Sequence, residues 1–171
     1  MARAHPSFGL RPFLPADAPL LADIFRESIA ELTSEDYSLS QQDAWAATAD
    51  DAETFEARLA SGLTLVATMD GTSPVGFISL AGAEQIDMLY VHPAVAGQGV
   101  AAMLCNAIEK LAAARGAPRV TTDASDTAAP FFEKRGFVAQ RRNTVTRGDQ
   151  WFANTTMEKK LATKEAGNDP A

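Results

Sequence analysis

The chain is 171 residues long, with 15 lysines and arginines against 22 aspartates and glutamates, a formal net charge of −7. That length suits one domain with enough core to fold unaided, and the acidic balance disfavours a nucleic-acid partner. Cys105 is the only cysteine, so no internal disulfide can form and a reducing, cytoplasmic setting is expected.

Residues 1–6 read as a loose N-terminus without a signal peptide's apolar run, and residues 162–171 as a polar tail, leaving 7–161 as the expected domain. No stretch is long and apolar enough to span a bilayer. Residues 8–11 suit a short first strand. Asp17 then offers an N-cap, with Pro19 in the first turn, where a missing N–H costs little. Leu20, Leu21, Ile24, Phe25, Ile29 and Leu32 recur at helical spacing, with Asp23, Arg26, Glu27 and Glu31 mostly opposite. A second short helix is expected over 41–47. A third is marked by Ala52, Phe55 and Leu59 and ended by Gly62. Strands follow at 63–69 and 75–81, around the Asp70-Gly71 hairpin signal, and at 86–91. Val100, Leu104, Ala107, Ile108 and Leu111 form one apolar stripe on the next helix, stopped by Gly116-Ala117-Pro118. Residues 120–124 read as a strand and 128–135 as a helix. A last hairpin, 137–145 and 150–157, turns at Gly148-Asp149. The layout is mixed α/β.

The most informative segment joins the strand at 86–91 to the helix that starts near Val100. Gly97 and Gly99 let bare backbone approach a ligand, and the helix start adds unpaired N–H groups and the positive end of its dipole, a phosphate-binding arrangement. A P-loop would need Lys followed by Ser or Thr where Val100-Ala101 stands. A dinucleotide fingerprint fits Gly97-x-Gly99-x-x-Ala102 only loosely, because His92 to Ala96 separate the strand from the glycines and too little chain follows Asp123.

Val91-His92-Pro93 followed by Ala96-Gly97-Gln98-Gly99-Val100-Ala101 resembles the acyl-CoA motif of the GNAT superfamily of N-acetyltransferases, Gln/Arg-x-x-Gly-x-Gly/Ala. Downstream, Ser125-x-x-Ala128-x-x-Phe131-Phe132-Glu133-Lys134-Arg135-Gly136-Phe137 is similar to that family's Asn-x-x-Ala-x-x-Phe-Tyr-x-Lys-x-Gly-Phe segment. The resemblance covers about residues 8–161. It implies a splayed, mixed central β-sheet flanked by helices, with acetyl-CoA as cosubstrate, no metal, and a small-molecule amine as acceptor, in a monomer or homodimer. Leu89, Tyr90 and Val91 would lie where the strand bulges and pairs with pantetheine; Ala96, Gly97, Gln98, Gly99, Val100 and Ala101 would form the pyrophosphate turn. Two departures matter. Ala96 replaces the family's Gln or Arg, and Phe132 replaces its tyrosine acid.

Acetyl transfer requires a neutral amine, whereas a free amine near pKa 10.4 is mostly protonated, so a base must take a proton. Asp87 is the first choice, on the strand before the turn, where strict alternation would align it with Leu89 and Val91. Glu84 is the second. As a plain structural residue, Asp87 would be a satisfied polar group at the sheet opening. With Phe132 unable to donate, Ser125 or Tyr90 would protonate the thiolate, or it leaves unaided. The acceptor would meet Ser28, Tyr37, Gln42 and Trp45, although Tyr37 and Trp45 equally suit helix packing. Lys134 and Arg135 could reach the CoA phosphates. His92, with only His5 elsewhere, forms no His-rich metal site, and Cys105 sits in a core-like helical position. The leading expectation is an acetyl-CoA-dependent N-acetyltransferase working through a ternary complex; the alternative is a non-catalytic acyl-CoA-binding or sensor domain.

Overall fold

In the computed structural model, which describes residues 5–162, both hairpins expected from the sequence form. Asp70 and Gly71 take left-handed φ values of 52° and 82° and turn β2 (Leu63–Met69) back onto β3 (Ser73–Ala81). Gly148-Asp149 joins β6 (Val138–Arg147) to β7 (Gln150–Lys160). With β1 (Phe8–Pro12), β4 (Gln85–Val91) and β5 (Arg119–Ser125), these strands build one seven-stranded sheet in the order β1-β2-β3-β4-β5-β7-β6. Of the expected loose ends, residues 1–4 and 163–171 lie outside the described residues.

All neighbouring pairs are antiparallel except β4 and β5. That parallel pair holds only at Gln85↔Thr121 and Ile86↔Thr122, fastened by the Thr121 N–H to Glu84 O bond (2.9 Å) and by the Thr122 hydroxyl to Ile86 O bond (3.2 Å). Beyond Ile86 the strands part. The sheet is therefore splayed as expected, and its two sides carry separate cores. On one side α4 (Val100–Ala114) and α5 (Ala129–Lys134) cover Ile78, Leu80, Ile86 and Val120, with Leu104 and Ile108 fully buried. On the other, α1 (Ala18–Leu32), α2 (Leu39–Ala46) and α3 (Ala52–Ala60) cover Val66, Phe77, Met88 and Phe152.

Three local expectations change. Leu20 and Leu32 of the α1 stripe are exposed, while Ser28 is buried in that face. Asp17 does not cap α1: its carboxylate takes two bonds from Arg11 (both 2.7 Å) and one from the Leu14 N–H (2.8 Å). It closes the short turn before the helix instead. The second helix begins earlier than residue 41, because Ser38 and Gln41 exchange side-chain and backbone bonds of 3.1 and 2.9 Å in a capping box.

Candidate active site

The gap between β4 and β5 is the throat of a cavity of about 650 Å³. One end reaches the first turn of α4, the other a chamber beneath α1 and α2, with Leu89, Tyr90 and Val91 along the middle. Gly76 lets α4 lie this close to the sheet. A Cβ there would come within 3.1 Å of Tyr90 O, 3.3 Å of a Val100 methyl and 3.4 Å of a Leu104 methyl.

At the α4 end, Gly97 and Gly99 have φ of 79° and 87°, values that other residues reach only under strain. The first bond into the helix runs from the Met103 N–H to Gly99 O at 3.0 Å, so the N–H groups of Val100, Ala101 and Ala102 have no partner within the helix. Ala96, Gly97, Gly99, Val100 and Ala101 all line the cavity. Gln98 does not; its side chain is exposed and donates to Ala94 O at 3.3 Å. Lys134 is also exposed and outside the cavity, and Arg135 is engaged with Asn106 and Glu109 at 2.7 and 2.8 Å. The Ala96–Ala102 turn thus presents backbone donors without a cationic side chain.

In the middle, the register of β3 on β4 slips between Ser79↔Met88 and Leu80↔Ile86, leaving Asp87 as the extra residue of a bulge. The bulge lies two residues before the expected 89–91 region and changes which side chains share a face. Ile86, Leu89 and Val91 pack on the α4 side, Met88 and Tyr90 on the α1 side. Asp87 therefore does not align with Leu89 and Val91; it turns toward α3, where Arg58 donates Nε (2.8 Å) and Nη2 (3.1 Å) to its carboxylate. The backbone responds in step. The His92 N–H bonds to Val75 O on β3 at 2.8 Å, and because successive N–H groups point to opposite strand edges, those of Leu89 and Val91 face the gap.

Glu84 sits at the other end of β4, paired with Arg119 at 3.2 Å and outside the cavity; the geometry does not bring it to Asp87. Ser125 lines the cavity, and its Oγ accepts the Ala128 N–H at 3.1 Å, leaving its own hydrogen to give. Phe132 is buried between Phe131 and Phe137, with ring centroids 5.2 and 5.0 Å away, and also lines the cavity.

In the chamber, Ser28, Tyr37 and Trp45 line the wall. Gln42 does not. Its amide donates to Ile29 O (3.0 Å), Ala30 O (3.2 Å) and Thr33 Oγ1 (3.0 Å), tying α2 to the end of α1. Tyr90 packs edge-on to Phe25 at 4.6 Å, and its oxygen accepts the Trp45 Nε1–H at 3.2 Å. The Tyr37 oxygen accepts the Asp126 N–H at 2.9 Å. Burial raises both phenols above their ordinary pKa. Phe25, Arg58 and Arg147 also face the chamber. The sequence marks none of the three as lining a site: Phe25 belongs to the apolar stripe of α1, and Arg58 and Arg147 carry no motif.

Cys105 is fully buried in the α4 core, and burial pushes its thiol up to about 12. His92 accepts the Ala94 N–H at its own turn and pairs with Glu27.

A family model described as an acetyltransferase (GNAT) domain matches residues 33–161. The chain is 35% identical over 151 residues to the Escherichia coli protein named "Uncharacterized N-acetyltransferase YafP", covering 88% of this chain and 95% of that one. It superposes with a TM-score of 0.88 and 56% identity on the crystal structure of a GCN5-related N-acetyltransferase, "Aminotransferase, Class-II", from Rhodopseudomonas palustris, over 94% of this chain and 99% of that one. It is similar in fold to the PaiA N-acetyltransferase of Thermoplasma acidophilum, crystallised in complex with coenzyme A, with a TM-score of 0.73 and 22% identity over 91% of this chain and 99% of that one.

Proposed function

The chain belongs to the GNAT family of acetyltransferases, and from that membership we propose that it moves an acetyl group from acetyl-CoA directly to the amine of a small molecule in a ternary complex. The observation that carries this reading is the single cavity joining the α4 turn to the aromatic chamber through the β4–β5 gap. A thioester threaded along it would hold its phosphates at the N–H groups of Val100 to Ala102 and its acetyl carbon in the gap. The coenzyme A complex of the Thermoplasma relative supports the choice of cosubstrate. A cytoplasmic setting, where acetyl-CoA is abundant, fits the same reading.

The steps follow from the groups in place. The amine enters from the chamber and attacks the carbonyl carbon, its nitrogen losing one proton to Asp87 directly or through a water. Arg58 occupies one side of that carboxylate, and the remaining lone pairs accept the proton's hydrogen bond. The N–H groups of Leu89 and Val91 stabilise the oxyanion, an effect worth roughly 3 kcal/mol where such a donor is used. The C–S bond then breaks. Ser125, with a free hydroxyl hydrogen on the α5 side, is better placed than Tyr90, held by Trp45 in the chamber, to relay a proton to the thiolate, taking one from water as it gives its own. Asp87 releases the amine's proton to solvent. The products are the N-acetyl amide and CoA thiol.

A non-catalytic acyl-CoA sensor is the second reading, favoured by Phe132 and by the engagement of Asp87 with Arg58. Purified protein with acetyl-CoA and a panel of amines separates the two. Thiol release matched by acetylated product in mass spectrometry supports transfer, and saturable CoA binding without product on any amine refutes it.

A further inference from the structure

At the α2 end of the chamber three hydrogen-bond donors meet without an acceptor of their own. Arg147 ends β6 on the face that carries Val145, and its guanidinium lies 5.3 Å from the Trp45 ring centroid and 4.6 Å from that of Phe152. Among the described residues no carboxylate or carbonyl oxygen bonds to it. The charges nearby are already committed. Arg58 is neutralised by Asp87, Asp126 is held by Arg142 at 2.6 Å, and the cavity's other carboxylate, Asp123, takes the Thr156 hydroxyl at 2.6 Å. The two phenols add to this. The Tyr37 and Tyr90 oxygens each accept an N–H already, so each retains its own O–H to give, and no described side chain or carbonyl receives it.

A guanidinium lifted partly out of water onto two aromatic faces is destabilised unless an acceptor compensates it. Burial indeed lowers the Arg147 pKa from its ordinary value, though an arginine keeps its proton in proteins. One uncompensated positive charge beside two hydroxyl donors matches one monoanion, and the guanidinium fork fits the two oxygens of a carboxylate. We infer that the acetyl acceptor is an amine that also carries a carboxylate, an amino-acid-like molecule whose anionic group is held by Arg147 with the Tyr37 and Tyr90 hydroxyls. Its amine then points to Asp87 at the strand gap, and its apolar body lies against Phe25 and Trp45. The inference rests on the acetyl-transfer reading and names the substrate class of that same site.

The test compares matched acceptors: each of the common amino acids, its amide, and the amine left when the carboxylate is removed. Wild-type protein should favour the best carboxylate-bearing acceptor over its two neutral counterparts by about a hundredfold in kcat/KM, as losing a charged hydrogen-bond partner predicts. In R147Q that preference should collapse to about threefold or less, and R147K, which keeps the charge and loses the fork, should fall between. The KM for acetyl-CoA should stay within about twofold in both variants, which a general loss of packing would not allow. Equal rates on charged and neutral acceptors, a preference that survives R147Q, or turnover confined to lysines of intact proteins would each overturn the inference. If no amine is acetylated, the transfer reading has failed on its own. Tryptophan fluorescence then decides the anion site: quenching by N-acetylphenylalanine, absent with its methyl ester and lost in R147Q, supports it, and no quenching overturns it.

Discussion

Gly99→Val separates the fold of the phosphate turn from its use. Gly99 precedes α4 with φ 87° and ψ 5°, and a Cβ added there would meet no protein atom within 4 Å. The substitution therefore crowds nothing in the free protein. Its effect on stability is the left-handed backbone alone, roughly 1–2 kcal/mol for a non-glycine residue, or about 2–8 °C in Tm for a chain of this size. Its effect on binding is separate. Gly99 lines the cavity together with Val100, Ala101 and Ala102, so a branched side chain there should crowd a pyrophosphate held by their N–H groups. Losing two hydrogen bonds to a charged group removes about 3–6 kcal/mol. Micromolar CoA binding is worth about −8 kcal/mol, so the variant should bind at about millimolar or not measurably. Calorimetric titration with CoA reads this, beside a thermal melt of each protein. Gly99→Ala, with less bulk and no β-branch to add to the backbone strain, should fall between. A variant that melts as expected yet binds CoA within about threefold of wild type would mean that the phosphates lie elsewhere.

Asp87→Asn should lower turnover by about a hundredfold, at the lower end of general-base effects, with acetyl-CoA affinity held; an unchanged rate and pH profile would move the proton to water, since Glu84 lies outside the cavity. Ser125→Ala should cost about ten- to a hundredfold in turnover, on the order of 1.4 to 2.7 kcal/mol. Turnover unchanged in both Ser125→Ala and Tyr90→Phe would leave the thiolate departing unaided, at about 2 kcal/mol for a thiol of pKa 8.5 at pH 7. In Phe132→Tyr the new hydroxyl gains a use only if it reaches the cavity, so its turnover should match or exceed wild type; a melt lowered by more than about 3 kcal/mol would show it buried without a partner. Asp17→Asn should destabilise the fold at neutral pH by about 2 kcal/mol, or 4–8 °C in Tm. The Arg11 guanidinium holds the Asp17 carboxyl below the usual carboxylate range, so this stabilisation is complete above that range and is lost as pH falls through the lowered value. The gap between wild type and variant in melts should therefore close only below about pH 4.

Much of this arrangement is local and so can be read along the chain. The hairpins at Asp70-Gly71 and Gly148-Asp149, the α4 stripe of Leu104 and Ile108, and the glycine turn all rest on residues within a few positions of one another. The chamber does not. Arg58 reaches Asp87 across 29 positions, Trp45 reaches Tyr90 across 45, and the Asp126 N–H reaches Tyr37 across 89. Residue type marks none of these partners, because an arginine on an amphipathic helix or next to a turn looks like solvated surface. Gln42 shows the converse: a polar residue chosen for the acceptor proves to close the backbone of α1.

The bulge at Asp87 decides which groups face the gap and which face the chamber. A strand that alternated without interruption would place Asp87 with Leu89 and Val91, on the α4 side and away from any amine arriving from the chamber. One extra residue reverses that. It sends the carboxylate toward α3 and the chamber, keeps Leu89 and Val91 packed on the α4 side, and leaves their N–H groups aimed into a gap that β5 has vacated. The proposed base and the proposed oxyanion donors thus lie on the same few residues of one strand, on opposite sides of where a thioester carbonyl would lie. Strand periodicity alone cannot reveal this, because a bulge is a tertiary choice: β3 pairs with β4 on both sides of Asp87, and only the pairing of the whole sheet decides which residue is left over.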